Sequence, residues 1–283
     1  MTYQIKWKTR AFFVFLVLIL FFVGCASQNT FYLKIKYSSD YTVDQDLFTP
    51  FSQGYTCIYR TDKQGFAYVD EKGEGIQAIY KMAYPFENDG KALVETQESE
   101  WIYINTQGVK VAQGQAPKDL SATAIYDENG LFGIKTKEGK KITQPIFSWI
   151  ESVTFDWNFA QLAEGEHKNV MIDPQGTVQV ILPDNCIGAK KQDEVIVCRF
   201  KGGYQLLNLK GKVCNTTYFS GIGNFVDDLA PITFKNKVGL IRKDGTVVLE
   251  PTYDMDSITP AYGEGKITGT FNNKLVFYSV EHH

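Results

Sequence analysis

Histidine is nearly absent from this sequence. Its 283 residues include three histidines, and two of these are His282 and His283, to which we assign no role. The remaining one, His167, stands in a polar turn where a histidine is normally solvated. A histidine-dependent nucleophile or zinc site therefore has little to be built from. The residue pattern predicts no enzyme activity, no cofactor and no bound metal.

Other sequence signals of chemistry are missing as well. The carboxylates are scattered through loops without the spacing of a calcium-binding loop, and neither a P-loop nor a glycine-rich dinucleotide motif occurs. An excess of charge of one sign is also lacking, because 29 basic and 32 acidic residues give a formal net charge of -3. Without a basic patch for phosphates, nucleic acid is disfavoured as a partner.

Long apolar runs are limited to one, near the N-terminus. It covers residues 11–23, and three basic residues precede it: Lys6, Lys8 and Arg10. A membrane-spanning helix needs about 17 to 25 apolar residues. This run of 13 residues is therefore typical of an export signal rather than of a permanent anchor.

The residues that follow, Phe22-Val23-Gly24-Cys25, resemble the lipobox of bacterial lipoproteins. The resemblance implies a signal peptide over residues 1–24, a lipid on Cys25 and a lipidated tether over residues 25–30. Two or more acyl chains would anchor the protein stably, at about 0.8 kcal/mol per buried methylene. An ordinary signal peptide with an incidental cysteine is the alternative.

The resemblance also implies a location in the bacterial cell envelope. Ala26, directly after Cys25, is similar to the residue found in lipoproteins that are sorted onward to the outer membrane of cells with two membranes. In a cell with one membrane, the same signal would leave the protein on the outer face of the cytoplasmic membrane.

Aromatic residues are plentiful, at 14% of the chain, with 20 Phe and 16 Tyr but four Trp. Their flat rings pack well on a pleated sheet, which favours β structure. Residues 31–37 (FYLKIKY) alternate apolar and basic side chains and predict a strand, whereas the polar residues 38–46 predict a loop. Residues 31–53 are thus expected to form an N-terminal strand and loop.

Residues 54–283 form a repeat. In six copies, a short apolar run precedes a polar turn closed by glycine, and the glycines are 35, 31, 37, 35 and 34 residues apart: Gly73, Gly108, Gly139, Gly176, Gly211 and Gly245. Glycine supplies the positive φ of a tight turn, so each copy predicts a hairpin. A further strand precedes each hairpin, and proline is expected to stop the last strand, as at Pro251. Each unit is predicted to be a three-stranded meander of about 35 residues.

This pattern resembles the unit of the WG repeat family of bacterial proteins, over about residues 50–279. Residues 237–254 (KVGLIRKDGTVVLEPTYD) carry the resemblance best. The Trp-Gly pair that names the family is intact in no copy, although Gly133 and Gly239 keep its glycine. The family implies an extracytoplasmic β scaffold with no common chemistry.

The number of predicted strands suggests how the array ends. After six full repeats, the seventh has two predicted strands, residues 265–271 and 274–280. Residues 31–37 could supply its third strand and close the chain into a propeller-like ring. The alternative is an open twisted array with residues 31–37 as a cap. The fold class is all-β in either case.

Four cysteines remain after Cys25: Cys57, Cys186, Cys198 and Cys214. In an oxidising compartment they allow two disulfides, although strand repeats bury free cysteine equally well. Cys186 and Cys198 are the first candidate pair, because they lie 12 residues apart across one predicted loop. Cys198 and Cys214 fall on the outer strands of one meander, about twice the strand spacing apart, which disfavours that pair.

Together these features predict a lipid-anchored envelope scaffold that binds an unidentified envelope protein. Binding of glycan or peptidoglycan is the alternative, because aromatic rings stack on sugar faces. Most rings occupy fixed repeat positions and are expected in the core. The candidate ligand contacts are Trp149 and Trp157, with Trp101, Tyr204 and Tyr262 as further aromatics.

Overall fold

The computed structural model describes residues 31–117, 123–152, 154, 156–164 and 168–282. These residues form an all-β fold of 24 strands in several small antiparallel sheets. The proposed signal peptide, Cys25, the tether and His167 lie outside the described residues. Within the described ranges, no helix is long and apolar enough to cross a membrane.

The strands fall into seven successive units, named units 1 to 7. Unit 1 contains the second half of β1 (Phe31–Phe48), with β2 (Tyr55–Arg60), β3 (Gly65–Asp70) and β4 (Gly75–Tyr80). Unit 2 contains β5 (Met82–Ala83), β6 (Lys91–Glu95), β7 (Trp101–Asn105) and β8 (Lys110–Gln113). Unit 3 contains β9 (Thr123–Glu128) and β10 (Leu131–Thr136).

The remaining four units follow in chain order. Unit 4 contains β11 (Phe147–Ile150), β12 (Asn158–Leu162), β13 (Asn169–Ile172) and β14 (Val178–Ile181). Unit 5 contains β15 (Cys186–Gln192), β16 (Val195–Phe200) and β17 (Gly203–Asn208). Unit 6 contains β18 (Gly221–Ile222), β19 (Leu229–Phe234), β20 (Lys237–Arg242) and β21 (Val247–Asp254). Unit 7 contains β22 (Ala261–Gly263), β23 (Lys266–Phe271), β24 (Lys274–His282) and the first half of β1.

The prediction of three-stranded meanders is corrected by these sheets. Units 2 and 6 are four-stranded, in the orders β5-β6-β7-β8 and β18-β19-β20-β21, and units 4 and 7 also place four strands side by side. The added strand precedes the three predicted ones. It can be as short as two residues, as in β5 and β18, which is too short to show alternation in the sequence.

The two ends of the described chain pair with each other. β1 lies antiparallel to β24, with Leu33 opposite Val280, and then continues into unit 1, where Val43 lies opposite Arg60 on β2. One strand thus completes unit 7 and begins unit 1. This is the pairing that the strand count predicts for residues 31–37.

Two boundary predictions are wrong. Residues 38–46, expected as a loop, belong to β1, because the backbone there pairs first with β24 and then with β2. Pro251, expected to stop a strand, lies inside β21. The β20–β21 register shifts between Val238 and Leu240, and this irregularity at the sheet edge accommodates a residue that has no N–H to donate.

The turns repeat with the same geometry. All six repeat glycines have positive φ, between 75° and 95°, which is the conformation that the sequence pattern requires of them. In four of the six turns, the residue three before the glycine is an Asp or Asn whose side chain accepts hydrogen bonds from two backbone N–H groups of the turn: Asp70, Asn105, Asp173 and Asn208. Asp70, for example, accepts from Lys72 at 2.8 Å and from Glu74 at 2.9 Å, and Asn208 accepts from Lys210 and Lys212 in the same way. These side chains are therefore part of the turn and not only solvated surface.

Buried apolar clusters join successive units. They lie between units 1 and 2, 3 and 4, 4 and 5, 5 and 6, 6 and 7, and 7 and 1. In the described ranges no such cluster joins units 2 and 3, and Val111 on β8 is 45% exposed there. The turn glycine Gly176 of unit 4 packs against unit 3, because a Cβ added to it would lie 2.3 Å from the Cγ2 of Thr143. A Cβ added to the equivalent glycine of unit 3, Gly139, would meet nothing within 4 Å. Within the described residues, units 2 and 3 are thus the neighbouring pair without a shared buried cluster.

Candidate functional site

A cleft of about 630 Å³ lies where units 4, 5 and 6 meet. Both aromatic and charged side chains line it. Unit 4 contributes Glu151, Asp156, Trp157 and Phe159, unit 5 contributes Lys190, Lys191, Arg199 and Tyr204, and unit 6 contributes Ile222 and Asn224.

Strand β15 forms the middle wall of the cleft. Residues 188–192 all line it, and β15 is the end strand of the β15-β16-β17 sheet. One edge of β15 therefore has no strand partner in the described part of the chain. Successive side chains of a strand point to opposite faces. Accordingly, Ala189 and Lys191 lie toward unit 4, whereas Gly188 and Lys190 lie toward unit 6.

A disulfide joins Cys186 and Cys198 at one end of this wall. The residues between them are not the single loop expected from the sequence, because they form the hairpin of β15 and β16. Both cysteines are buried in the cluster between units 4 and 5. Cys57 and Cys214 are free thiols, and Cys57 is buried between units 1 and 2.

Trp157 is held in the cleft wall by a charged pair. The Lys191 Nζ lies 5.5 Å from the centroid of the Trp157 ring and 3.2 Å from both carboxylate oxygens of Asp156. Asp156 also accepts a 2.8 Å hydrogen bond from the backbone N–H of Trp157. The positive charge of Lys191 is therefore already matched within the fold, and its ammonium covers part of the indole ring.

Asn158, at the start of β12, supports the segment that carries Trp157. Its side chain accepts 3.0 Å hydrogen bonds from the backbone N–H and the hydroxyl of Thr154, and it donates to the Asp156 carbonyl at 2.7 Å. Asn158 is buried, so these bonds are shielded from water. These hydrogen bonds fix the backbone at Thr154 and Asp156, and they thereby fix the position of Trp157.

Arg199 has a different environment. On β16 it lies directly opposite Tyr204 on β17, and it is also paired with Gly188 on β15. Because Gly188 has no side chain, the Arg199 Nε lies only 3.5 Å from the place that a Cβ would take. The side chain is exposed, and within the described residues Arg199 forms no ion pair.

Lys190 shares this face with Arg199. Its Nζ donates to the Asn224 side-chain oxygen at 3.4 Å, a long bond to an uncharged group. Nearby, the Gln192 side-chain oxygen accepts a 2.9 Å bond from the Phe225 N–H and so ties β15 to unit 6. The side of the β15–β16 hairpin toward unit 6 therefore carries two cations, Lys190 and Arg199, without a carboxylate partner in the described chain.

The predicted aromatic contacts are placed differently by the structure. Trp157 and Tyr204 line the cleft, but Trp149 does not. Trp149 is 42% exposed on β11 and packs edge-on against Phe159, with ring centroids 5.5 Å apart. Trp101 packs near Tyr84 in unit 2, and burial raises the pKa of Tyr262, which packs on the cluster between units 6 and 7.

The cations of the cleft were not identified from the sequence. Lys190 and Lys191 lie between the two bonded cysteines and Arg199 directly follows the second, which is the one signal that could have indicated them. Among the described residues, no group of three or more His, Cys, Asp or Glu side chains is arranged to hold a metal ion.

No protein-family model matches the chain, and a search of curated proteins finds no relative in sequence. Among solved structures, BamB from Moraxella catarrhalis is similar over 88% of this chain and 100% of its own, with 10% identity and a TM-score of 0.39. A streptogramin B lyase is similar over 91% of this chain and 100% of its own, with 13% identity and a TM-score of 0.41. PorZ, a surface component of the type-IX secretion system of Porphyromonas gingivalis, is similar over 89% of this chain and 39% of its own, with 9% identity and a TM-score of 0.46. Similarities this weak say nothing about what the chain does.

Proposed function

We propose that this chain is a lipid-anchored WG repeat protein of the bacterial envelope, and that it binds another envelope protein through the cleft between units 4, 5 and 6. It acts as a scaffold and performs no chemistry of its own. The observation that carries the proposal is the presence of Trp157, Tyr204 and Arg199 in one cleft. Trp, Tyr and Arg are the residue types that contribute most to binding energy at protein interfaces.

The lipid on Cys25 is the anchor in this proposal. The five residues 26–30 separate Cys25 from the start of β1 at Phe31. An extended chain spans about 3.3–3.6 Å per residue, so the fold begins within roughly 20 Å of the acyl chains. Units 7 and 1, which share β1, are then the units attached most closely to the membrane.

Glycan binding is the second candidate, and Trp157 is the feature that favours it. Stacking on a sugar requires an open aromatic face. The Lys191 ammonium lies over the Trp157 ring and reduces the face that is available, which favours a protein ligand over a sugar.

The test uses the full chain, purified in detergent, to capture proteins from an envelope extract. Trp157→Ala removes the ring inside the cleft, and Trp149→Ala is the matched control, because it removes an exposed ring outside the cleft. We expect the unmodified chain and Trp149→Ala to retain the same protein. Trp157→Ala should weaken the affinity for this protein about thirtyfold and reduce its recovery accordingly, since truncating an aromatic anchor costs about 2 kcal/mol.

Three results would contradict parts of the proposal. Equal capture by Trp157→Ala and the unmodified chain would exclude the cleft as the binding surface. Binding to a polysaccharide array that is lost in Trp157→Ala, without capture of a protein, would favour the glycan. Mass spectrometry that finds no acyl chains on Cys25 after expression in a bacterium would exclude the lipid anchor.

A further inference from the structure

We propose that the ligand of the cleft is an extended acidic peptide segment, which adds as a strand to the free edge of β15 and places its carboxylates on Arg199 and Lys190. This inference rests on the proposed function and names the chemistry of the partner. It follows from the charges on the side of the β15–β16 hairpin toward unit 6 and from the open edge of β15.

The requirement for an acidic ligand comes from the side of the β15–β16 hairpin that faces unit 6. The strand register places Gly188 opposite Arg199, and Lys190 is two residues further along the same face. Within the described chain neither cation forms an ion pair, and the nearest recorded partner of Lys190 is the neutral Asn224. A carboxylate between them would gain charge-assisted hydrogen bonds, and the guanidinium can bind it with two N–H groups.

The opposite face explains why the site selects an anion. Lys191 is paired with Asp156, so these two charges cancel. The remaining carboxylate of the cleft, Glu151, belongs to unit 4 and is exposed. A basic segment would therefore meet two uncompensated cations on the unit 6 side, whereas an acidic segment would neutralise them.

The shape requirement comes from the backbone. Five consecutive residues of β15, 188–192, line the cleft, and β15 has β16 as its only strand partner in the described residues. Alternate N–H and C=O groups on the other edge are available to an added strand, a common mode of peptide recognition. Side chains of a bound strand would alternate between Lys190 and Arg199 on one side and Trp157 on the other.

The probe is a fluorescein-labelled peptide of alternating Glu and Val with uncharged ends, titrated with the full chain in detergent and followed by fluorescence anisotropy. The same peptide with Gln in place of Glu is the charge control. We expect the Glu peptide to bind at least about tenfold more tightly than the Gln peptide, and its binding to weaken as salt is raised. N-methylation of alternate amides, which blocks strand pairing, should also abolish binding.

Charge variants assign the contact to named residues. Arg199→Glu and Lys190→Glu should each weaken binding of the Glu peptide about tenfold, and Arg199→Lys should lose less. Lys210→Glu is the matched control, because it makes the same charge change at an exposed lysine of unit 5 that does not line the cleft. Thermal unfolding of each variant checks that the fold is kept.

Several outcomes would overturn the inference. Equal binding of the Glu and Gln peptides would remove the charge requirement, and an unaffected N-methylated peptide would remove the strand requirement. Binding of polygalacturonate, but not of the Glu peptide, in a manner that depends on Arg199 would identify an anionic glycan instead. Capture of an envelope protein that needs Trp157 but not Arg199 would overturn this inference and leave the proposed function intact. Binding of the Glu peptide through Arg199 without capture of any envelope protein would support this inference and contradict the proposed function.

Discussion

Leu33 provides a direct test of the pairing between the two ends of the chain. Its side chain is 6% exposed and belongs to the cluster that also contains Leu240 of unit 6 and Ile267 of unit 7. Replacing a buried leucine by alanine costs about 2–5 kcal/mol, through lost apolar burial and the cavity left behind. We take about 3 kcal/mol for Leu33→Ala, because the site lies near the end of the strand. For a chain of this size each kcal/mol lowers the melting temperature by about 2–4 °C.

The expected decrease is therefore roughly 6–12 °C, measured by circular dichroism during heating. Lys34→Ala is the control, because Lys34 is the next residue of β1 and is exposed. An exposed substitution of this kind changes stability by about 0.5 kcal/mol or less. Equal melting temperatures for the two variants would show that residues 31–37 act as a dispensable cap and would refute the pairing as a structural requirement. The same conclusion would follow if both variants showed a separate unfolding transition at lower temperature, because residues 31–37 would then unfold independently of the other strands.

Two further predictions concern ionisable groups in the core. Burial, and to a smaller extent the nearby Asp254 carboxylate, raises the pKa of Tyr278 from its ordinary value of 10 to about 12. The neutral phenol therefore stabilises the folded state below about pH 10, and this stabilisation is lost as the pH rises toward 12. The melting temperature should fall over that range, and Tyr278→Phe should make the fall shallower; an unchanged slope would contradict this. Burial also raises the pKa of the Cys57 thiol far above its usual range, and that of the half-buried Cys214 less strongly. With iodoacetamide at pH 8, peptide mass spectrometry should find Cys57 unmodified and Cys214 modified slowly until denaturant is added, and rapid modification of Cys57 in the folded protein would contradict its burial.

The periodic features of this fold could be predicted from the sequence. Glycine spacing identified the turns because a positive φ at a tight turn strongly favours glycine. Counting strands identified the pairing of β1 with β24, because an unpaired edge is costly. The short strands β5 and β18 could not be predicted, since two residues show no alternation. The polarity of residues 38–46 predicts a loop, although pairing with two neighbouring strands makes them part of β1.

The candidate site was less predictable than the fold. Trp157 could be proposed because it lies outside the fixed repeat positions, but the same reasoning also selects Trp149, which does not line the cleft. Arg199 and Lys190 belong to no motif in the sequence. Their significance depends on which carboxylates lie near them in neighbouring units, and a repeat pattern contains no information on contacts between units. Sites formed by three units need the structure to be found.

The pairing of β1 with β24 sets the order in which this protein can fold. The Tyr32 hydroxyl donates to the Glu281 carboxylate across 249 residues of sequence, so this contact has to wait until almost the whole described chain has been synthesised. The entropy cost of closing a loop grows only slowly with its length, but contacts between residues this far apart in the sequence slow folding. Until then the first half of β1 is an unpaired alternating strand and a hazard for aggregation. A truncation that removes residues 274–282 should therefore destabilise the first half of β1 as much as β23, because both pair with β24.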